Sequence, residues 1–322
     1  MSPLLAFGIL AVSFVILTKC ADWFIDGAVG MAEIFSLPRM VVGMFMVGFA
    51  TTAPELAVSV QAAFMGHSEI ALGNAIGSVI VDDGVAMAVA AIIAPTAILI
   101  PGRILKTAAI FLIVIDLVAY AMASNGVLNR IEGGILVAAF FAYLVYIIRS
   151  RSVMIEDEME LIDQIEAKTT DWKRPTLLFL GGLVGVLLSS RGVIESSLVI
   201  ARFFNVSEAI IGLTVIAIGT SLPEISTCIV AARKGEGQIA VGDIIGADIM
   251  NVCWIAGASA VVRPIHVSLR MINFAFPFML VIVITMLGMM RHRYKLERKH
   301  GFVLLSIYAV YIFLTIKLFF EH

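Results

Sequence analysis

Apolar residues fill the chain in long runs separated by short polar turns. A helix needs about 20 consecutive apolar residues to cross the hydrocarbon core of a bilayer, and the runs are about that long or longer. The pattern therefore predicts an all-α integral membrane protein with ten transmembrane helices. The predicted limits of spans 1 to 10 are 4–24, 38–65, 69–95, 104–123, 130–149, 174–200, 207–233, 238–262, 270–290 and 301–319.

One part of this pattern occurs twice. Residues 41–55 recur as residues 210–224, so that position 41 matches position 210 and the following positions match in the same register. The repeat pairs spans 1–5 with spans 6–10. Because five spans are an odd number, the second copy enters the membrane from the opposite side, as in inverted-repeat transporters. The predicted units are a first inverted repeat (1–149), an acidic cytoplasmic linker (150–173) and a second inverted repeat (174–322).

Both copies place a proline and a glutamate inside an apolar run, as Pro54-Glu55 in span 2 and Pro223-Glu224 in span 7. Proline has no N–H to donate, so the carbonyls of residues 48–51 and 217–220 should lose helical partners. Such backbone is tolerated at membrane depth only where protein or a polar cavity satisfies it. We expect both helices to be broken there. The neighbouring hydroxyl groups belong to Thr51, Thr52, Thr220 and Ser221.

Spans 3 and 8 carry polar residues at four-residue spacing, which places them on one helix face. These positions are Asn74, Ser78 and Asp82 in span 3, and Asp243, Ala247 and Asn251 in span 8. Together with the broken helices they predict one central site near the midplane, with Glu55, Glu224 and Asp82 as its acids. Each ionised acid at the bilayer centre costs roughly 2.5–3.5 kcal/mol. Since these segments contain no basic residue, bound cations or protons must compensate.

Composition and charge support a membrane transporter and exclude other classes. Hydrophobic residues make up 61% of the chain, which is too much apolar surface for a soluble domain of 322 residues. A net charge of -2 without a basic tract gives no indication of nucleic-acid binding. Basic residues concentrate in the turns on one side, which predicts a multi-pass plasma (inner) membrane protein with its N-terminus outside. We expect a monomeric transport unit whose partners are inorganic cations and lipid, with no organic cofactor.

The residues also resemble a known family. Gly219-Thr220-Ser221-Leu222-Pro223-Glu224, Gly242-Asp243-Ile244-Ile245-Gly246 and Leu72-Gly73-Asn74-Ala75-Ile76-Gly77-Ser78 resemble the two repeats of the calcium/cation antiporter superfamily, sodium/calcium exchanger type. The resemblance implies a non-enzymatic secondary antiporter whose transported ions are Ca²⁺ and Na⁺.

The resemblance also implies roles for single residues. Glu55 and Glu224 would share Ca²⁺ with the carbonyls of Thr51 and Thr220, and six such oxygens suit this ion. Spans 1 and 6 would slide to expose the site to either side in turn. Asp82 and Asn251, which the four-residue spacing places beside the two glutamates, would complete the metal site, and the resemblance assigns the sodium sites to Thr52, Ser221 and Ser78 with the carbonyls of Gly48 and Ala217.

Several positions depart from the family pattern and leave the coupling ion open. Ala247 replaces an expected serine, and the acid and amide of spans 3 and 8 have changed places, as Asp82 and Asn251. A divalent-cation exchanger coupled to H⁺ or K⁺ is therefore an alternative, and Mg²⁺ or Mn²⁺ is an alternative to Ca²⁺ as the divalent ion. A remote alternative is an intramembrane aspartyl protease that uses Asp82 and the Gly242-Asp243 pair.

Five further polar residues in the spans are candidates for the ion path. Intramembrane acids are functional by default, but Asp83 and Asp248 lie off the polar faces and could contact a neighbouring helix or water instead. Asp243 could contribute charge to the site or only cap a turn, and Asp116 stands alone in span 4. The set is Asn74, Asp83, Asp116, Asp243 and Asp248.

Overall fold

The computed structural model describes residues 3–35, 37–66, 68–149, 172–203 and 217–320, and most of them are helical. The helices are α1 (Pro3–Phe35), α2 (Arg39–Val42), α3 (Gly48–Thr51), α4 (Ala53–Met65), α5 (Ser68–Val81), α6 (Ala88–Ile93), α7 (Gly102–Ala123), α8 (Arg130–Arg149), α9 (Lys173–Phe203), α10 (Ala217–Thr220), α11 (Leu222–Arg233), α12 (Gly237–Ile249), α13 (Gly257–Val262), α14 (Phe276–Arg291) and α15 (Arg298–Phe320). Wider π-helical turns join α2 to α3, α5 to α6 and α12 to α13, and one precedes α14; they are Gly43–Val47, Asp82–Met87, Met250–Ala256 and Met271–Ala275. The all-helical prediction is confirmed.

Seven helices in the described ranges are long and apolar enough to cross a membrane, and the number is eight if the bent pair Arg39–Thr51 and Glu55–Met65 is counted as one span. They agree with the predicted spans in order, although α1 continues about three turns past the predicted end of span 1, to Phe35. The helix α9 has almost the limits predicted for span 6. The first part of predicted span 7 (207–216) and nearly all of the predicted linker (150–171) lie outside the described residues.

The helices break at two matched positions of the sequence repeat. Thr52 (φ -77°, ψ 2°) separates α3 from α4, and Ser221 (φ -84°, ψ 9°) separates α10 from α11. In each case the new helix carries a proline in its first turn, where its missing N–H costs least. The turns that follow both helices also match, since Gly66 and Gly235 have φ values of 96° and 80°, which favour glycine.

Two short antiparallel strand pairs form between the segments that connect the helices. The strands are β1 (Ile98–Leu99), β2 (Val127–Leu128), β3 (Ile265–His266) and β4 (Lys295–Leu296). β1 pairs with β4, and β2 pairs with β3. Because β1 and β2 lie at opposite ends of the 22-residue helix α7, the two pairs are about 30 Å apart along it. Each pair joins the first half of the chain to the second.

Glycines allow α12 to lie directly against the bent helix. A Cβ atom at Gly242 would lie 2.1 Å from the Met40 carbonyl oxygen, and one at Gly246 would lie 2.1 Å from the Met44 carbonyl oxygen. These distances are too short for any side chain, so the backbones are in contact. The contact places α12 beside α3, where the candidate site begins.

Ion pairs connect the turn after α11 to α1 and to α2. The Lys234 ammonium lies 2.7 Å from Asp26 Oδ1 and 3.6 Å from Asp22 Oδ1 of α1. Nearby, Arg39 Nε lies 3.1 Å from Glu236 Oε2. Burial raises the pKa of Glu236, and the positive charge of Arg39 opposes this rise. Two acids from the interior of α1 thus pair with Lys234, which directly follows α11.

We predict that Gly246→Ala destabilises the protein by about 1–3 kcal/mol, because the added methyl group must separate two backbones in contact. Thermal unfolding in detergent, followed by intrinsic fluorescence, measures the effect. Gly288→Ala in α14 is the control, since a Cβ there meets no atom within 4 Å. Equal melting temperatures for the two variants would contradict the packing.

Candidate functional site

The residues at both helix breaks are buried inside the helical bundle. Glu55 is 1% exposed and Glu224 is 0% exposed, which places both carboxylates away from lipid and water. The hydroxyl residues of the two breaks, Thr51, Thr52, Thr220 and Ser221, are buried with them. Sequence reasoning therefore placed these side chains correctly in the interior.

One backbone detail of the prediction is wrong. The Gly48 carbonyl keeps its helical partner, because the Thr52 N–H donates to it at 3.0 Å. The Thr52 hydroxyl also donates to it, at 2.8 Å. Within the predicted stretch 48–51, the carbonyl whose donor is removed by Pro54 is that of Ala50. Gly48 thus has fewer free lone pairs for an ion than the sequence suggested.

Glu55, Glu224 and Asp82 lie close enough to repel one another. Glu224 interacts electrostatically with both Glu55 and Asp82, and Asp82 also acts on Glu55. The Thr220 hydroxyl lies near Glu55, and the Ser221 hydroxyl lies near Asp82. Among the described residues, no hydrogen-bond partner meets the carboxylate oxygens of these three acids. Such a group of buried acids requires positive charge to offset its cost.

Asn74 joins its own half of the chain to the second helix break. Its Nδ2 donates to Ser59 Oγ at 3.0 Å and to the Glu55 carbonyl at 3.4 Å. Its Oδ1 accepts a hydrogen bond from the Thr220 hydroxyl at 3.4 Å. Ser59 in turn donates to the Ala71 carbonyl at 3.3 Å. Asn74 is therefore a structural link beside the acids.

Asp243 makes the matching set of contacts at the equivalent position of the second half. Its Oδ1 accepts from the Thr51 hydroxyl at 3.3 Å, across to the first helix break. Its Oδ2 accepts from Thr227 Oγ1 at 2.8 Å and from Cys228 Sγ at 3.5 Å. The Cys228 thiol also lies 3.6 Å from the Ala240 carbonyl, which corresponds to the contact of Ser59 in the other half. The two sets of contacts, here called the Asn74 frame and the Asp243 frame, share the contact to the opposite helix break and the contact to Ser59 or Cys228, while Thr227 contacts only Asp243.

A second acid group lies beside the first. Asp83 and Asp248 are side-chain neighbours, and Asp116 of α7 interacts electrostatically with both. All three are 0% exposed. Asp83 and Asp248 thus face a neighbouring helix, one of the two alternatives left open. Asp116 has two acidic neighbours that its isolated position in the sequence did not indicate.

The remaining candidates are buried polar groups or backbone. Ser78 and Asn251 are 1% and 0% exposed, and their polar side-chain atoms have no partner among the residues that the structure describes. Ala217 begins α10, directly before the second break. In the described ranges, no three His, Cys, Asp or Glu side chains form a ready-made metal site. A metal ion here would need carbonyl, hydroxyl and amide oxygens in addition to the carboxylates.

Sequence reasoning missed Ser59, Thr227 and Cys228. Ser59 follows Glu55 by four positions and Cys228 follows Glu224 by four, so each lies on the glutamate's helix face. Ser59 and Cys228 also occupy equivalent positions of the two repeats. This correspondence was available as a signal, but serine and cysteine are different enough in chemistry to hide it.

Comparison with known proteins identifies the family. The family described as "Sodium/calcium exchanger protein" matches residues 5–149 and 174–317, which together are most of the chain and include both helix breaks. The chain belongs to the sodium/calcium exchanger family. It is a membrane protein of a transporter family, and the protease alternative is abandoned; Asp243, its proposed catalytic acid, already accepts three hydrogen bonds.

Individual relatives and structures agree with this assignment. The chain is 32% identical over 265 residues to the inner membrane protein YrbG of Escherichia coli, with 81% of each chain covered. It is 26% identical to the sodium/calcium exchanger MaX1 of Methanosarcina acetivorans, over 95% of this chain and 97% of that one. Its fold matches the sodium-calcium exchanger NCX_Mj, in crystals soaked with Na⁺ and Sr²⁺, with a TM-score of 0.83, 24% identity and coverage of 97% and 98%.

We predict that Thr227→Val destabilises the protein by about 1–3 kcal/mol, because Asp243 loses its shortest hydrogen bond while staying buried. Thr227→Ser, which keeps the hydroxyl, is the matched control. Thermal unfolding in detergent compares the two. If the valine variant were as stable as the serine variant, the hydrogen bond from Thr227 to Asp243 would not support the site.

Proposed function

We propose that the protein is a secondary active antiporter that exchanges Ca²⁺ for Na⁺ at shared carboxylates. The observation that carries the proposal is the convergence of Glu55, Glu224 and Asp82, three fully buried acids next to two helix breaks. Ca²⁺ prefers six to eight oxygen ligands. Both glutamates, the Thr51 and Thr220 carbonyls, Asp82 and Asn251 would supply them. Thr52, Ser221, Ser78 and the Ala217 carbonyl would serve the monovalent ions, while the Gly48 carbonyl, which already accepts two hydrogen bonds, leaves this set.

The layout that we propose is two inverted five-helix repeats. The matched breaks at Thr52 and Ser221 and the matched frames of Asn74 and Asp243 support it. Each frame reaches across to the other half's break, as expected for two halves related by a twofold axis in the membrane plane. The repeats would be residues 1–149 and 174–322, joined by the linker 150–173. The basic-residue pattern supports a multi-pass inner membrane protein with an external N-terminus.

Exchange would follow from competition for the same charges. One Ca²⁺ neutralises two carboxylates, and so do two monovalent ions, but both sets cannot occupy Glu55 and Glu224 together. Occupancy by one therefore expels the other. Only the loaded protein has its buried charge compensated, so only loaded states would change access from one side to the other. The long helices α1 and α9, which pack along each other, are the moving part in this mechanism; Gly27 and Gly182 bring their backbones into contact.

One observation favours a second version of this function. Ala247 is buried where the family has a serine, which removes one hydroxyl from the monovalent sites. Fewer sodium ligands favour coupling to H⁺ or K⁺, with Mg²⁺ or Mn²⁺ as an alternative divalent ion. The carboxylate site is common to both versions.

We predict that Glu55→Gln and Glu224→Gln each abolish gradient-driven ⁴⁵Ca²⁺ uptake into proteoliposomes, because each removes one charge from the shared site. Glu195→Gln is the control, since this glutamate is exposed and pairs only with Arg191 on its own helix among the contacts described. Circular dichroism and gel filtration verify folding. Uptake retained by either site variant would refute the assignment.

Imposed gradients identify the coupling ion. We expect an outward Na⁺ gradient to drive ⁴⁵Ca²⁺ uptake into proteoliposomes, with K⁺ and pH gradients of equal size having little effect. Uptake that follows the pH or K⁺ gradient instead would select the second version. Competition by Mg²⁺ and Mn²⁺ in the same assay ranks the divalent ions.

A further inference from the structure

A carboxylate stands in the Asp243 frame where an amide stands in the Asn74 frame, and Thr227, whose repeat counterpart is Val58, adds a donor to the Asp243 frame. The two residues occupy matched positions and contact matched partners, Ser59 with Thr220 in one frame and Cys228 with Thr51 in the other. An amide satisfies the first frame completely. The carboxylate of the second frame is therefore not required by its geometry alone.

Asp243 differs from the other buried acids of the site because protein groups donate hydrogen bonds to it. Three protein donors lie within hydrogen-bonding distance of its two oxygens, the shortest contact being that of Thr227, and each of the three also lies near a backbone carbonyl. By contrast, Glu55, Asp82 and Glu224 have no partner in the described part of the chain. Charge-assisted hydrogen bonds are the means by which a protein retains a buried carboxylate. The Asp243 carboxylate faces these donors on the neighbouring helices, and they occupy its lone pairs.

Asp243 nevertheless acts on the site. It is 1% exposed, and it interacts electrostatically with Glu55, Glu224 and Asp82. We propose that Asp243 is a specificity-determining residue: a fixed negative charge, held by Thr51, Thr227 and Cys228, that favours divalent over monovalent cations without contacting them. This inference rests on the cation site proposed above and assigns the residue that sets its charge selectivity.

The physical basis is the scaling of electrostatic energy with ion charge. A fixed charge near a site changes the binding free energy in proportion to the charge of the bound ion. Removing it therefore weakens the binding of a divalent ion more than that of a monovalent one, and that of a trivalent one most. A direct ligand gives no such fixed ratio, because its loss also changes the coordination geometry.

The test measures equilibrium binding of Ca²⁺ and La³⁺ to the purified full-length protein in detergent. For Asp243→Asn we expect the affinity for Ca²⁺ to fall on the order of tenfold, and that for La³⁺ by about thirtyfold. Asn74→Asp places a charge at the matched position and should raise Ca²⁺ affinity by a similar factor. The double variant Asn74→Asp with Asp243→Asn should return to within about threefold of the original affinity.

Three outcomes overturn the inference. They are an unchanged Ca²⁺ affinity in Asp243→Asn, equal factors for Ca²⁺ and La³⁺, and a double variant as weak as the single one. The last result would identify Asp243 as a direct ligand. If Asp243→Asn does not fold, the ratio of the La³⁺ and Ca²⁺ effects in Asn74→Asp decides, because added charge favours La³⁺ more than Ca²⁺ whereas the lost donations to Ser59 and the Glu55 carbonyl have no such dependence; equal factors contradict the inference.

Glu55→Gln in the same assay separates the two proposals. If it binds Ca²⁺ like the unmodified protein, the proposed cation site itself fails. If it loses Ca²⁺ binding while Asp243→Asn keeps full affinity, only the role of Asp243 fails.

Discussion

Negative charge buried without a basic counter-charge is the constraint on which the structure depends. Glu55, Asp82 and Glu224 are at most 1% exposed, and no Lys, Arg or His side chain is hydrogen-bonded to them in the described ranges. An uncompensated charge in a medium of low dielectric is too costly for a stable fold. The described groups of the protein therefore do not supply the compensation, which leaves a bound cation or a proton to provide it.

The rest of the site follows from holding these acids in place. Proline opens each helix just before its glutamate, and a threonine at each break bonds to a polar residue of the opposite half, Asn74 or Asp243. Backbone contact at Gly242 and Gly246 keeps α12 beside the first break. The acids are therefore positioned by rigid helices and not by loops. This arrangement limits the freedom of ligands that must be close together despite their repulsion.

Much of this arrangement could be predicted from the sequence, because repetition and hydropathy are long-range signals. The internal repeat located both breaks, and the buried acids followed from the Pro-Glu pairs. The environment of Asp116 could not be predicted, since its neighbours Asp83 and Asp248 come from helices whose rotation depends on packing and on π-helical turns. The retained Gly48 bond also escaped prediction, because a proline's effect on the chain is local to a few atoms. The hydrogen bonds around Asp243 depend on Thr227 and Cys228, which look like ordinary helix residues.

The strand pairs β1–β4 and β2–β3 have a consequence for biosynthesis. Both strands contributed by the N-terminal half pair with strands that the ribosome makes only near the end of the chain. The hydrogen bonds between Thr51 and Asp243 and between Asn74 and Thr220 likewise need residues of the second half. The early half must therefore stay in the bilayer as an unfinished intermediate, with polar atoms lacking their final contacts, until its counterpart has been inserted. These contacts between the two halves therefore form late in synthesis.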